Sequence, residues 1–154
     1  MSQAPIPLAP IPLAIGGDHA GLPLKAILQQ ALVEAGHPLL DFGTNEAASV
    51  DYPDFAHQVA AAVQDGRARF GILVCGTGIG MAIAANRHPG IRAAVLHSSS
   101  EARLTRAHND ANVAAFGARL IGSEVALDAL RAFLATEFEG GRHGRRLAKL
   151  SPHG

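Results

Sequence analysis

Residues Phe70 to Val74 form an unbroken apolar run that passes straight into Cys75-Gly76-Thr77-Gly78-Ile79-Gly80 and then into the alanine-rich stretch Met81 to Asn86. A strand that is apolar on both faces needs cover on both, and helices flanking a parallel sheet supply it. Parallel neighbours in turn demand long crossover connections, usually helical. This one strand therefore constrains the whole chain: helices must alternate with short strands on either side of it in sequence.

The rest of the sequence follows that rhythm. Leu13 to Ile15 is a short apolar run ending at Gly16-Gly17, and Gly21 to Ala35 places Leu24, Ile27, Leu28, Ala31 and Leu32 at helical spacing before Gly36. Pro38 to Phe42 reads as a second strand, and Asp54 to Gln64 as a second helix with Asp54 as its cap. Ile91 to Leu96 and Asn112 to Phe116 read as further strands around a helix over Ser99 to His108. Ser123 to Phe138 closes the pattern as a long amphipathic helix with Val125, Leu127, Leu130, Phe133 and Leu134 toward the core. The expected fold class is α/β: a single-domain three-layer sandwich around a five-stranded, mainly parallel, Rossmann-like sheet.

A chain of 154 residues, 48% hydrophobic and 17% charged, suits one folded domain. We assign residues 12–150 to it and residues 1–11, with Pro5, Pro7 and Pro10, to a flexible N-terminal extension. Thirteen basic residues balance 13 acidic ones, so no general electrostatic pull toward nucleic acid or an anionic membrane is expected. No stretch approaches the roughly 18 apolar residues of a membrane span. Cys75 is the only cysteine, which excludes an internal disulfide and suits a cytoplasmic location.

Ligands of parallel α/β sheets bind at the carboxyl ends of the strands. That rule singles out Gly16 to His19, Thr44, Cys75 to Gly80, His97 to Ser100 and Gly117 to Arg119. Alternating Gly76, Gly78 and Gly80 leave backbone N–H groups uncovered at the start of a helix, a cradle for a phosphate or a developing oxyanion. The same glycines also suit a tight turn, and the G-x-G-x-G spacing is not a dinucleotide fingerprint. Cys75 at such a position, where a helix start favours thiolate, offers a base or a nucleophile, although a lone cysteine is also an ordinary core residue. Asp18-His19 after the first strand offers an acid or base with an orienting partner, or simply a helix cap. Elsewhere, His108-Asn109-Asp110 ends a helix, where His108 serves either proton transfer or the helix dipole. Arg142 and Arg146 share a helical face suited to a phosphate, or belong to a solvated basic tail. The eight histidines form no recognisable metal pattern, so no metal is expected.

Taken in order, Gly17-Asp18-His19-Ala20-Gly21, Asp41-Phe42-Gly43-Thr44, Asp51-Tyr52-Pro53, Cys75 to Gly80, Ala84-Ala85-Asn86-Arg87, Gly90-Ile91-Arg92-Ala93, His108 to Val113 and Gly140 to His143 resemble the motifs of type B ribose-5-phosphate isomerase. The wider family includes galactose-6-phosphate isomerase subunits. The resemblance implies that Cys75 is the base in a cis-enediol isomerisation, assisted by Thr77, with the backbone of Gly76, Gly78, Ile79 and Gly80 holding the enediolate oxygen. It implies that His108 opens the sugar ring, with Asp18 alongside. His19, Tyr52, Asn109, Arg119, Arg142 and Arg146 would contact a phosphorylated sugar, without a cofactor. It also implies a homodimer or higher homo-oligomer whose sites are shared between chains. An isomerase for galactose 6-phosphate, allose 6-phosphate or a tetrulose phosphate would use the same chemistry. A noncatalytic sugar-phosphate binder would dispense with Cys75 or His108, and both are present. A dithiol reductase needs a second cysteine.

Overall fold

The computed structural model describes residues 9–152; residues 1–8 of the proline-rich extension lie outside the described residues. Five strands, β1 (Leu13–Gly17), β2 (Leu39–Asp41), β3 (Phe70–Cys75), β4 (Ala93–Val95) and β5 (Val113–Gly117), form one sheet in the order β2-β1-β3-β5-β4. All four pairings are parallel, so "mainly parallel" becomes wholly parallel among the described residues. The helices are α1 (Leu22–Glu34), α2 (Tyr52–Gln64), α3 (Ile79–Ala85), α4 (Ser99–Asn109), α5 (Ser123–Ala135) and α6 (Arg142–Leu147).

Strand alternation divides the core between two layers. Leu13, Ile15, Ile72, Val74, Ala114 and Phe116 face α1, α4 and α5, while Ala14, Leu73, Cys75, Val113 and Ala115 face α2 and α3. The central strands are buried at every position, as the run Phe70 to Val74 required. Ile11, assigned to the extension from sequence, is buried in the first cluster, and its N–H donates to His37 Nδ1 at 3.0 Å.

Three details differ from the sequence reading. Helix α2 begins at Tyr52 after Asp51, with Pro53 in its first turn, so Asp54 lies inside the helix and is not its cap. A proline is tolerated there because the first-turn N–H has no intrahelical partner. Helix α5 ends at Ala135, short of Phe138. Its buried face carries Ala126, Ala129, Leu130, Phe133 and Leu134, whereas Val125 is exposed; small alanines let the helix lie close, a signal that a search for large side chains misses.

The chain visits β2 on one side of β1 and then crosses to β3 on the other. The loop after β1 leaves toward α1, and the loop after β3 toward α3 on the opposite face. This is a topological switch point, where diverging loops open a crevice at the carboxyl edge.

Candidate active site

The two diverging loops are tied to each other at their roots. The Asp18 N–H donates to the Val74 carbonyl at 3.2 Å, and Asp18 Oδ1 accepts the Gly21 N–H at 3.0 Å. Asp18 therefore fills the turn-closing role, and it also lines the crevice. His19 Nδ1 accepts the Val50 N–H at 3.2 Å, which leaves the proton of a neutral ring on Nε2.

Across the crevice, Cys75 ends β3 at 5% exposure, and its Sγ accepts the Gly78 N–H at 3.1 Å. Gly78 makes this possible with φ of 78°, and a Cβ there would lie 3.0 Å from the Phe116 backbone carbon. Thr77 Oγ1 accepts the Ile79 N–H at 3.2 Å. Among the described residues, the N–H groups of Gly76 and Thr77 have no protein acceptor. The loop thus presents unclaimed donors beside the thiol, with Arg119 anchored next to it by its N–H on the Gly76 carbonyl at 3.0 Å.

Tyr52 closes one wall, its ring lying over Gly80 so closely that a Cβ at Gly80 would fall 2.6 Å from Cζ. The resulting cleft has a volume of about 400 Å³. Asp18, His19, Tyr52, Cys75, Gly76, Thr77, Ile79, Gly80 and Arg119 all border it. Gly78 contributes from beneath through its N–H on sulfur.

His108, Asn109, Arg142 and Arg146 are elsewhere. Helix α4 leaves the carboxyl edge after β4 and runs its 11 residues, roughly 16 Å, to the amino edge before β5. His108 and Asn109 sit at that far end. The His108 ring stacks on His143 of α6, with centroids 4.4 Å apart and planes at 16°. Arg142 and Arg146 are exposed on the same short helix. Asn109 borders a second, larger cavity of about 790 Å³ that also touches Arg87, Arg92 and Leu150. One chain thus carries two separated groups, one at each edge of the sheet.

Two buried cations hold these groups in place, and the sequence reading passed over both. Lys25, 1% exposed, reaches Asp41 Oδ1 at 2.8 Å, Asn45 Oδ1 at 3.0 Å and the Thr44 carbonyl at 3.3 Å. Its position, three and seven residues before Leu28 and Leu32, marks the inner face of α1 and was the available signal. Arg106 donates to Asp110 Oδ1 and the Ala111 carbonyl, each at 2.8 Å, and lies 4.7 Å over the Phe70 ring. Asp110 therefore ties down the end of α4 beside His108.

The sequence spacing predicted no metal centre. The fold nevertheless gathers His108, Glu139 and His143, whose ligand atoms lie within 4.8 Å of one another. Burial, then the charges of Arg142 and His108, push the His143 pKa below its usual value. Among the described residues no helix is long and apolar enough to cross a membrane.

Unclaimed N–H donors beside a buried thiol, set at the switch point of a parallel sheet, suit an α/β enzyme that acts on a small anionic substrate. The Ribose/Galactose Isomerase family model matches residues 13–150, and the chain belongs to that family. Ribose-5-phosphate isomerase B of Escherichia coli is 46% identical over 90% of this chain and 93% of its own length. The structure of the Clostridium thermocellum ribose-5-phosphate isomerase B superposes with a TM-score of 0.91 at 48% identity, covering 93% of this chain and 97% of that one. The Mycoplasma genitalium enzyme, solved with bound ribulose-5-phosphate, gives a TM-score of 0.87 at 39% identity over 92% and 94% of the two chains.

Proposed function

We propose that the protein interconverts D-ribose 5-phosphate and D-ribulose 5-phosphate through a cis-enediol(ate), with Cys75 as the base. The observation that carries this reading is the thiol of Cys75 beside the unclaimed Gly76 and Thr77 N–H groups in a cleft bordered by Asp18 and His19. The isobaric reaction moves one carbon-bound proton between C2 and C1 and one oxygen-bound proton between O1 and O2. Cys75, as thiolate, takes the C2 proton of the aldose. The carbonyl oxygen gains negative charge as the proton leaves, and the loop N–H groups, with Thr77 nearby, lie where they can stabilise it. The same thiol returns the proton at C1. No electron acceptor is required, so the reaction needs no redox cofactor.

Ring opening and phosphate binding call for His108, Asn109, Arg142 and Arg146, which stand at the other edge of the sheet in the same chain. The reading therefore requires a homodimer at least, in which the amino edge of one protomer faces the cleft of its partner. Exposed Ile79 and Ile83 on α3, beside the cleft, and Leu150, beside Asn109, offer apolar surface for such a contact. Arg142 and Arg146 would take the phosphate, and His19 and Arg119 the sugar end of the cleft. The phosphate anchors the substrate so that its binding energy orients C1 and C2 at the thiol.

The test is conversion of ribose 5-phosphate followed by proton NMR in deuterium oxide, beside Cys75→Ala. The expected result is ribulose 5-phosphate carrying deuterium at C1, abolished in the variant. Absence of conversion by folded wild type, with turnover of galactose 6-phosphate, allose 6-phosphate or a tetrulose phosphate instead, would replace the sugar assignment. Conversion that survives Cys75→Ala would remove Cys75 as the base.

A further inference from the structure

The stacked histidine pair at the amino edge is joined by an acid that the proposed isomerisation does not use. His108 Nε2 lies 3.9 Å from Glu139 Oε1, and His143 Nε2 lies 3.9 Å from Glu139 Oε2. His143 is only 6% exposed, and its Nε2 has no hydrogen-bond partner. A buried ring nitrogen aimed at a carboxylate, with nothing donated to it or accepted from it, is an unsatisfied group that a bound cation would satisfy. The Glu139 side chain is 57% exposed.

We propose that His108, Glu139 and His143 form a binding site for a divalent transition-metal ion of the zinc class, and that its occupancy switches the isomerase off by engaging His108. The donor set of two imidazoles and one carboxylate is the kind that holds zinc with one coordination position left open. Bonds near 2.0–2.1 Å in tetrahedral geometry put ligand atoms about 3.4 Å apart, so the present spacing needs a closure of roughly an ångström. Rotation of the exposed Glu139 side chain and small turns of the two rings supply it. Arg142 and Arg146 oppose a cation nearby, and the Glu139 charge offsets only part of their effect. A metal on His108 Nε2 would remove the atom that the proposed function assigns to ring opening. The inhibitory half of the proposal rests on that assignment, while the binding half stands without it.

The experiment uses untagged, chelator-treated full-length protein. Zn²⁺ is titrated calorimetrically and Co²⁺ by visible absorption, with wild type, Glu139→Gln, Cys75→Ala and His57→Ala. The last two control for the thiol and for the exposed His57–His88 pair, whose ring nitrogens are 2.7 Å apart. One ion per chain, weakened about tenfold or more by Glu139→Gln and unchanged in the two controls, supports the site. In parallel, Zn²⁺ should slow the isomerase, with the half-inhibiting concentration raised about tenfold or more in Glu139→Gln, whose metal-free activity equals wild type. No stoichiometric binding, or binding that Glu139→Gln leaves undiminished, overturns the site. Binding at full occupancy without loss of rate overturns the switch. The calorimetric arm decides the site whichever sugar phosphate the enzyme prefers.

Discussion

If each site takes Cys75 from one protomer and His108 from its partner, two inactive variants should rescue each other. Cys75→Ala removes the base, and His108→Asn removes a proton-transfer group worth about 10²–10⁴ in rate, so each homodimer is nearly silent. In a mixed dimer, the His108→Asn chain supplies Cys75 to one cleft while the Cys75→Ala chain supplies His108 to the same cleft. The second cleft receives both substitutions. Random pairing at equal amounts makes half of the dimers mixed, and each carries one intact site of two, so recovery should reach ~25% of wild-type activity per chain. The assay is co-refolding or co-expression of differently sized chains, with native mass spectrometry to count mixed dimers and the isomerase rate measured on the same sample. Against backgrounds near 1% or below, the signal is unambiguous. Mixed dimers in the expected proportion with activity no greater than the sum of the parents would refute the shared site and require His108 to act within its own chain. The structure makes the second outcome difficult, because α4 carries His108 to the edge opposite Cys75.

Lys25→Met should cost about 1–2 kcal/mol in denaturant unfolding, because it removes the Lys25 contacts to Asp41, Asn45 and the Thr44 carbonyl. It should also raise KM, since the Asp41–Asn45 segment holds the root of the Asp18 loop through Gly17 N–H on the Gly43 carbonyl at 2.8 Å and Thr44 N–H on the Gly17 carbonyl at 2.7 Å. Burial pushes the Asp41 carboxyl up, but the hydrogen bonds from Lys25 and Gly43 and the Lys25 charge outweigh it and hold it below its usual value; this stability is present above the unfolded value of 3.8 and is lost as pH falls through the folded one. The acid limb of the wild-type stability curve should therefore flatten in Lys25→Met. Burial pushes His37 below its ordinary 6.5, so stability should decline as pH falls below that value, where the unfolded chain takes the proton first. His37→Asn keeps an acceptor for the Ile11 N–H and should reduce the loss in melting temperature between about pH 8 and about pH 5.5, with His143 adding the same sign to what remains. Gly80→Ala should displace the Tyr52 ring, which is 40% exposed and can swing outward, raising KM about tenfold with little change in unfolding free energy. An unchanged KM would remove Tyr52 from the substrate wall.

The sheet was legible because its signals are local. The run Phe70 to Val74 announces a doubly covered strand, and the glycines that end β1 and follow β3 announce the loops of the crevice. Helix ends were less legible: Asp51 and Asp54 are both plausible starts for α2, and Pro53 decides between them only once the first turn is seen. The carboxyl-edge half of the site could be read from the rule that ligands sit at strand ends. The amino-edge half could not, because no periodicity reveals which face of α4 carries His108 or that α6 returns to stack His143 on it. Residue resemblance grouped these residues with Cys75, whereas the fold of one chain sets them apart. Lys25 and Arg106 were missed for a different reason: charged residues read as surface, and only their place on the inner stripe of a helix says otherwise.

If the site is shared between chains, the separation would account for the motif residues that do not border the Cys75 cleft. Asn86 gives its amide to the Ala93 carbonyl at 2.9 Å and takes the Ala93 N–H at 2.7 Å. Asn112 takes the Arg92 N–H at 2.8 Å and donates to the Gly90 carbonyl at 2.9 Å. Asp110, in a left-handed conformation with φ of 47°, receives Arg106 at 2.8 Å and Arg92 at 3.2 Å. Together these bonds weld the start of β4, the start of β5 and the end of α4 into one block. A group that acts in a partner's cleft receives no positioning from the loops of that cleft, so its own scaffold must hold it to the sub-ångström tolerance that proton transfer demands. Under the proposed shared site, the amino edge would meet that requirement with side-chain amides, a buried guanidinium and a strained aspartate in place of flexible loop.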